Sequence, residues 1–155
     1  MAKLPKSVAA FLAGKRFAVA GVSRQPNKFA NAIYRRLRDN GFEVLAVNPN
    51  ATEVEGAPCY PDIVSIPGQL DGVVVATPAG AALAIVRQCI DKGVRHVWFH
   101  RAFGNGSMSD DAVKACKDHG IAVVEGGCPM MYCEPVDAAH RCFGWWLGLI
   151  GRGPA

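Results

Sequence analysis

The stretch RFAVAGVSRQPNKFANAIYRRL, residues 16–37, decides the fold. Phe17–Ala20 is a hydrophobic run that reads as a strand. A turn of small and polar residues follows. From about Phe29 the pattern becomes helical and continues to Asn40, with Gly41 placed to take the left-handed position after the helix. Strand, turn and helix in that order open a βαβ unit, and the turn lies where a helix N-terminus would meet a phosphate. The G-x-G-x-x-G of dinucleotide enzymes is absent, since Gly21 alone stands where three glycines would be needed.

Working outward, the same alternation repeats. Glu43–Val47 reads as a second strand, stopped by Asn48-Pro49-Asn50. Asp71–Ala76 is a third, again continuously apolar after its first residue. Thr77-Pro78 has the form of an N-cap followed by proline in the first turn, so a helix is expected there, ended by Gly93. His96–Phe99 is a fourth strand. Ser109 caps a helix ended by Gly120, and Ile121–Val124 is a fifth strand. Between residues 51 and 68, three prolines leave no crossover helix. A short strand near Ala57–Tyr60 and one helical turn after Pro61 are expected. Strands joined through helices imply right-handed crossovers and a parallel sheet. The expected fold class is α/β, a doubly wound Rossmann-like parallel sheet of about five strands. Residues 1–132 would form this domain, and residues 133–155 a helical tail packed on it or on a partner subunit.

Bulk properties narrow the class. The 155 residues are 50% hydrophobic and 19% charged, which suits one globular domain rather than disorder. A net charge of +4, with no run of five Lys/Arg, favours an anionic ligand and argues against nucleic acid as a partner. The N-terminal patch before Lys15-Arg16 is too short for a signal peptide and reads as a leading helix with its apolar side on the sheet. The apolar run FGWWLGLIG is far below a membrane span, so no membrane partner and a cytoplasmic location are expected. Six cysteines without a Cys-x-x-Cys pair read as small buried hydrophobes of a reducing compartment.

In open α/β sheets ligands bind beyond the carboxyl ends of the strands, where strand order reverses. That rule nominates five loops: Gly21–Lys28, Asn48–Asn50, Thr77-Pro78, His100–Gly106 and Gly126–Pro129. In the first, Gly21 permits a tight turn, Ser23 offers a hydroxyl, and Arg24 and Lys28 bring positive charge to a helix N-terminus. Each exposed charge there is worth roughly 0.3–1 kcal/mol towards an anion. A nicotinamide dinucleotide would want an acid at the end of the second strand. Val47-Asn48-Pro49-Asn50 has none, and Glu43 lies at the wrong end. This counts against NAD and less strongly against NADP.

The segments AGVSRQPNKFANAIYRRLRDNGFEVLAVNPN, GAPCYPDIVSIPGQLDGVVVATP, GVRHVWFH and GIAVVEGGCPM follow, in order, the pattern of the CoA-binding domain family. The chain resembles these small Rossmann-like proteins, and with them the first domain of the succinyl-CoA synthetase alpha subunit, over roughly residues 11–130. The resemblance implies coenzyme A, free or acylated, as ligand. It places the diphosphate and phosphorylated ribose near Gly21, Val22, Ser23, Arg24, Gln25, Pro26 and Lys28. The adenine side falls near Val47, Asn48 and Pro49 and near Thr77 and Pro78. The pantetheine arm would run towards Trp98, Phe99 and His100 and the Cys128-Pro129 loop. Two departures fall at the arm end: His100 stands where the family often has Gln, and Ala102-Phe103 where it has Gly-Ile. At the nucleotide end, Ala51 replaces a lysine of the synthetase.

No catalytic residue is assigned. The synthetase carries its phosphorylated histidine in a second domain for which this chain has no room. His100, at a strand's carboxyl end, is the best acid–base candidate, but it is expected only to shape the pocket; His96 and His119 read as structural. Cys128 could in principle exchange with the CoA thiol. The spacing C-x4-C-x6-H-x-C from Cys128 to Cys142 is no standard zinc pattern, and no metal is assigned. The expectation is therefore non-catalytic binding of CoA or acyl-CoA. Two alternatives stay open: an enzyme using NAD(P) or an acyl-CoA thioester, and an interaction subunit docking through Trp145-Trp146. Self-association into a homo-oligomer is compatible with the aromatic tail.

Overall fold

The computed structural model describes residues 4–101, 106–136, 138–151 and 153–155. Its strands are β1 (Arg16–Ala20), β2 (Glu43–Val47), β3 (Glu53–Val54), β4 (Ala57–Tyr60), β5 (Gly72–Val75), β6 (His96–Phe99) and β7 (Ala122–Glu125). Its helices are α1 (Lys6–Leu12), α2 (Phe29–Asp39), α3 (Ala82–Lys92), α4 (Asp110–Asp118) and α5 (Ala138–Leu149). The sheet has the order β3-β4-β2-β1-β5-β6-β7. Every pairing is parallel except the β3–β4 hairpin at one edge. The doubly wound α/β class expected from sequence is the fold observed. The seven-stranded count exceeds the expected five because β4 joins the sheet and β3, only two residues long, folds back on it.

Alternation along the strands builds two cores. Phe17 and Val19 of β1, Val74 of β5 and Trp98 of β6 point to the layer holding α1, α2 and α5. Ala18, Ala20, Val73, Val75 and Phe99 point to the layer of α3 and α4. A period of two on central strands covered on both faces is what the apolar runs require. The leading helix sits as expected: Val8 and Phe11 of α1 are buried, and Phe11 stacks on Phe17 with ring centroids 4.7 Å apart. Helix α5 packs through Leu147 and by the approach of Gly144 to Met131, while Trp145 and Leu149 remain exposed.

Two local expectations are corrected. Pro78 is extended (φ −54°, ψ 147°), so the chain enters a 3-10 turn over Ala79–Ala81 before α3 begins at Ala82. Thr77 therefore caps no helix, and its buried Oγ1 has no hydrogen-bond partner. After Pro61 there is a turn closed by Ile66 N donating to Ile63 O, not a helical element. Asp62 takes Ser65 N on its side chain, holding that turn without a further helical bond. Ser109 does cap α4, its Oγ accepting from Ala112 N at 3.2 Å.

Candidate functional site

Strand order reverses between β1, whose successor β2 lies to one side, and β5, whose successor β6 lies to the other. The loops after these two strands meet there. Gly21 has φ +106°, and a Cβ on it would fall 2.7 Å from the carbonyl oxygen of Ala76. Glycine is thus required twice over, by backbone conformation and by the approach of the two loops. Gly21 N donates to Val47 O, which ties the turn to β2 as well.

The turn itself is held from inside. Gln25 N donates to Ser23 Oγ at 3.0 Å. Ser23 N donates to Asn31 Oδ1 at 2.9 Å, and Asn31 Nδ2 returns a bond to Ser23 O at 2.7 Å. Asn31 is only 1% exposed, which makes these bonds costly to break. Sequence reasoning missed this residue. Its signal was a polar side chain on the buried face of an amphipathic helix. The turn's Ser23 and Gln25 amides are therefore occupied, and the amides left for a ligand lie at the start of α2. That helix begins with Lys28 in the cap position, no side-chain cap and no acidic residue in its first turn. Arg24 and Lys28 are both exposed. The uncapped amides and the positive end of the helix dipole lie together at the start of α2, and the turn leading to it carries these two cations.

At the end of β2, Asn48 spends its side chain on the protein. Its Nδ2 donates to Val22 O at 2.9 Å and its Oδ1 accepts from Asn50 N at 2.8 Å. Beside it lies a shallow open cleft of about 470 Å³, lined by Arg24, Pro49, Asn50, Ala51, Thr52 and Pro61 among others. A second depression, of about 500 Å³ near His96 and His119, lies at the opposite, amino end of β6 and β7. It is unrelated to the strand-end loops.

The third group, at the ends of β6 and β7, differs from expectation. Trp98 and Phe99 are fully buried, on opposite faces of the sheet. Trp98 donates from its indole to Gly126 O at 2.9 Å and packs against Phe11 and Tyr132. Neither ring offers surface to a ligand, because both belong to the strand rather than to the loop beyond it. Val22 and Val47 are likewise core residues, so at all four positions only the backbone is placed for contact. Cys128 and Pro129 are buried too. His100 is 8% exposed, with its ring 5.9 Å from that of Phe29, a residue that is 70% exposed. Burial, and secondarily the charge of His140, pushes the His100 pKa down to about 4, so its imidazole is neutral at pH 7. Nothing in the local pattern brings His140 here; α5 does so. Residues 102–105, which carry the Ala102-Phe103 departure and most of the fourth nominated loop, lie outside the described residues.

Comparison with known proteins adds to this geometry. A family model described as CoA binding domain matches residues 15–134. The chain is 32% identical over 120 residues to the ADP-forming acetate–CoA ligase I of Archaeoglobus fulgidus, covering 74% of this chain and 18% of the ligase. A hypothetical protein from Pyrococcus horikoshii OT3 superimposes with a TM-score of 0.74 at 27% identity, covering 84% of this chain and 94% of that one. The acetyl-coenzyme A synthetase 1 of Ca. Korarchaeum cryptofilum, in complex with phosphate and ADP, gives 0.62 at 27% identity, covering 70% of this chain and 25% of that one. The chain spans between 12% and 18% of the length of the first three curated ligases it matches. Among the described residues, no helix is long and apolar enough to cross a membrane.

Proposed function

This chain belongs to the CoA-binding domain family, and from that premise we propose that it binds coenzyme A or acyl-CoA across the carboxyl ends of its parallel strands, without catalysing a reaction on it. The observation that carries the reading is the start of α2 at the strand-order reversal. An uncapped helix end without acidic residues, preceded by a turn that carries Arg24 and Lys28, suits a diphosphate. Gly21 removes the side chain that would block the approach, and the orphaned Thr77 hydroxyl supplies a polar group without a protein partner nearby.

Adenosine fits the cleft beside Asn48 and Pro49, with Arg24 at its rim offering charge to a ribose phosphate where the synthetase lysine is replaced by Ala51. Of the arm-end residues, His100 is uncharged at pH 7 and Cys128 is buried. A thiol buried in the core is a poor nucleophile, which supports holding rather than chemistry at Cys128. Asn48 disfavours a nicotinamide dinucleotide, because its amide is already engaged on both sides and no carboxylate stands in its place.

Titration calorimetry with CoA, acetyl-CoA, NAD and NADP tests the proposal. Micromolar or tighter binding of the two CoA species, with none of NAD or NADP, is the expected outcome. Binding of a nicotinamide dinucleotide in preference to CoA would overturn it. Native mass spectrometry of freshly purified protein provides an independent check, since a CoA-sized ligand should travel with the chain.

A further inference from the structure

Behind the Gly21–Lys28 turn lies a hydrogen-bonded chain that reaches the edge of the sheet. Asn31 Nδ2 donates not only to Ser23 O but also to Glu55 Oε1, at 2.8 Å. Arg35 Nη1 donates to the same carboxylate oxygen at 2.8 Å. Both terminal nitrogens of Arg35 also reach Pro26 O, at 3.2 Å. Glu55 sits at the tip of the β3–β4 hairpin with φ +53°, a conformation that non-glycine residues seldom adopt. Its side chain is 10% exposed, and that of Arg35 37%. One carboxylate at a strained hairpin tip thus joins two side chains of α2. Those two side chains grip the ligand turn at Ser23 and at Pro26.

We propose that Asn31 and Glu55, with Arg35, are positioning residues that hold the Gly21–Lys28 turn in its CoA-binding form. They do so without touching the ligand. The inference rests on the CoA reading above. Physically, the turn contains Gln25, Pro26 and Asn27 on the surface, with few internal bonds of its own. Asn31 fixes one end through both backbone groups of Ser23, and Arg35 fixes the middle through Pro26 O. Glu55 sets the rotamers of both, since one carboxylate oxygen accepts from each. A loop ordered before the ligand arrives loses less conformational freedom on binding.

The substitution Asn31→Asp keeps the acceptor for Ser23 N but turns an oxygen towards Ser23 O and the Glu55 carboxylate. CoA affinity, measured by calorimetry, should fall at least about tenfold, on the scale of losing one buried hydrogen bond and opposing two acceptors. Adding Glu55→Gln to that variant supplies an amide that can donate to Asp at 31 and should recover part of the loss. Glu55→Gln alone should be neutral or slightly harmful, so the second substitution changes sign with background. Hydrogen exchange at the Ser23 amide should accelerate in Asn31→Asp and slow again in the double variant. Val113→Ala, on the far layer, is the control for a merely structural effect: it should lower the melting temperature and leave affinity alone. Should Asn31→Asp not fold, Glu55→Ala, at the tip of the β3–β4 hairpin rather than in the core, carries the same expectation of weakened binding. If wild type binds no CoA, the functional reading itself falls. If wild type binds CoA and the folded Asn31 and Glu55 variants bind it equally well, this inference is overturned and the functional reading stands.

Discussion

Gly21 and Ala76 sit so close at the reversal of strand order that a single methyl on the glycine would lie 2.7 Å from the alanine carbonyl oxygen. This contact joins the loops after β1 and β5, the two strands between which a ligand of such a sheet must enter. Gly21→Ala should therefore cost stability twice, through the positive φ and through the clash, by at least about 2 kcal/mol together. Chemical denaturation measures that loss. The folded fraction should also bind CoA more weakly, because the loops must separate to admit the methyl.

The cations of the turn before α2 should act on affinity and leave folding alone. Neither Arg24 nor Lys28 is buried. Replacing both by Gln should weaken CoA binding by roughly threefold to thirtyfold, taking about 0.3–1 kcal/mol for each charge at an exposed helix end. Its salt dependence should shrink in parallel, with melting temperature nearly unchanged. Ser23→Asp should do more, since it sets a carboxylate against the diphosphate. Unchanged affinity in Ser23→Asp would move the phosphates away from this turn.

Thr77 offers a test in which stability and binding part company. Its Oγ1 is buried without a partner, so the isosteric Thr77→Val removes a desolvated hydroxyl and should leave the unliganded protein as stable as before, or more stable by up to about 1 kcal/mol. If the hydroxyl serves the ligand, CoA affinity should drop in the same variant. Melting curves with and without CoA separate the two effects: the unliganded transition holds or rises, and the ligand-induced shift shrinks.

Acid should weaken the fold in a defined window. The His100 pKa is lowered from 6.5 to about 4, first by burial and then by His140. Between those values the unfolded chain binds the proton and the folded one does not, so stability rises with pH across that interval. Its contribution is complete above pH 6.5 and is lost as pH falls towards 4. His100→Gln should flatten this part of the pH–stability curve, measured by urea denaturation. CoA affinity should show no step near pH 6.5 attributable to His100.

Local pattern carried most of the architecture. Continuous apolar runs gave β1 and β5, and the glycines after α2, α3 and α4 marked their ends, because burial on two faces and left-handed caps leave traces within a few residues. The turn after β1 was legible for the same reason. The family resemblance places the pantetheine arm near Trp98 and Phe99, yet each side chain points into a core. Being next to a strand end does not say on which side of it a side chain lies. Thr77 looked like a cap because proline followed it, but the extended Pro78 delayed the helix.

What the amino-acid order alone determined was the succession of strands and helices, the parallel sheet and the basic turn before α2. These follow from periodicity, glycine and proline, which act over one or two turns of chain. Only the tertiary structure decided which distant groups meet around these loops: Glu55, 24 residues from Asn31 in sequence, joins its carboxylate to that amide, and α5 sets His140 near His100. Such contacts depend on how the layers and the hairpin dock. Hydrogen-bond geometry and burial are set by that docking, and they leave no periodic mark in the sequence.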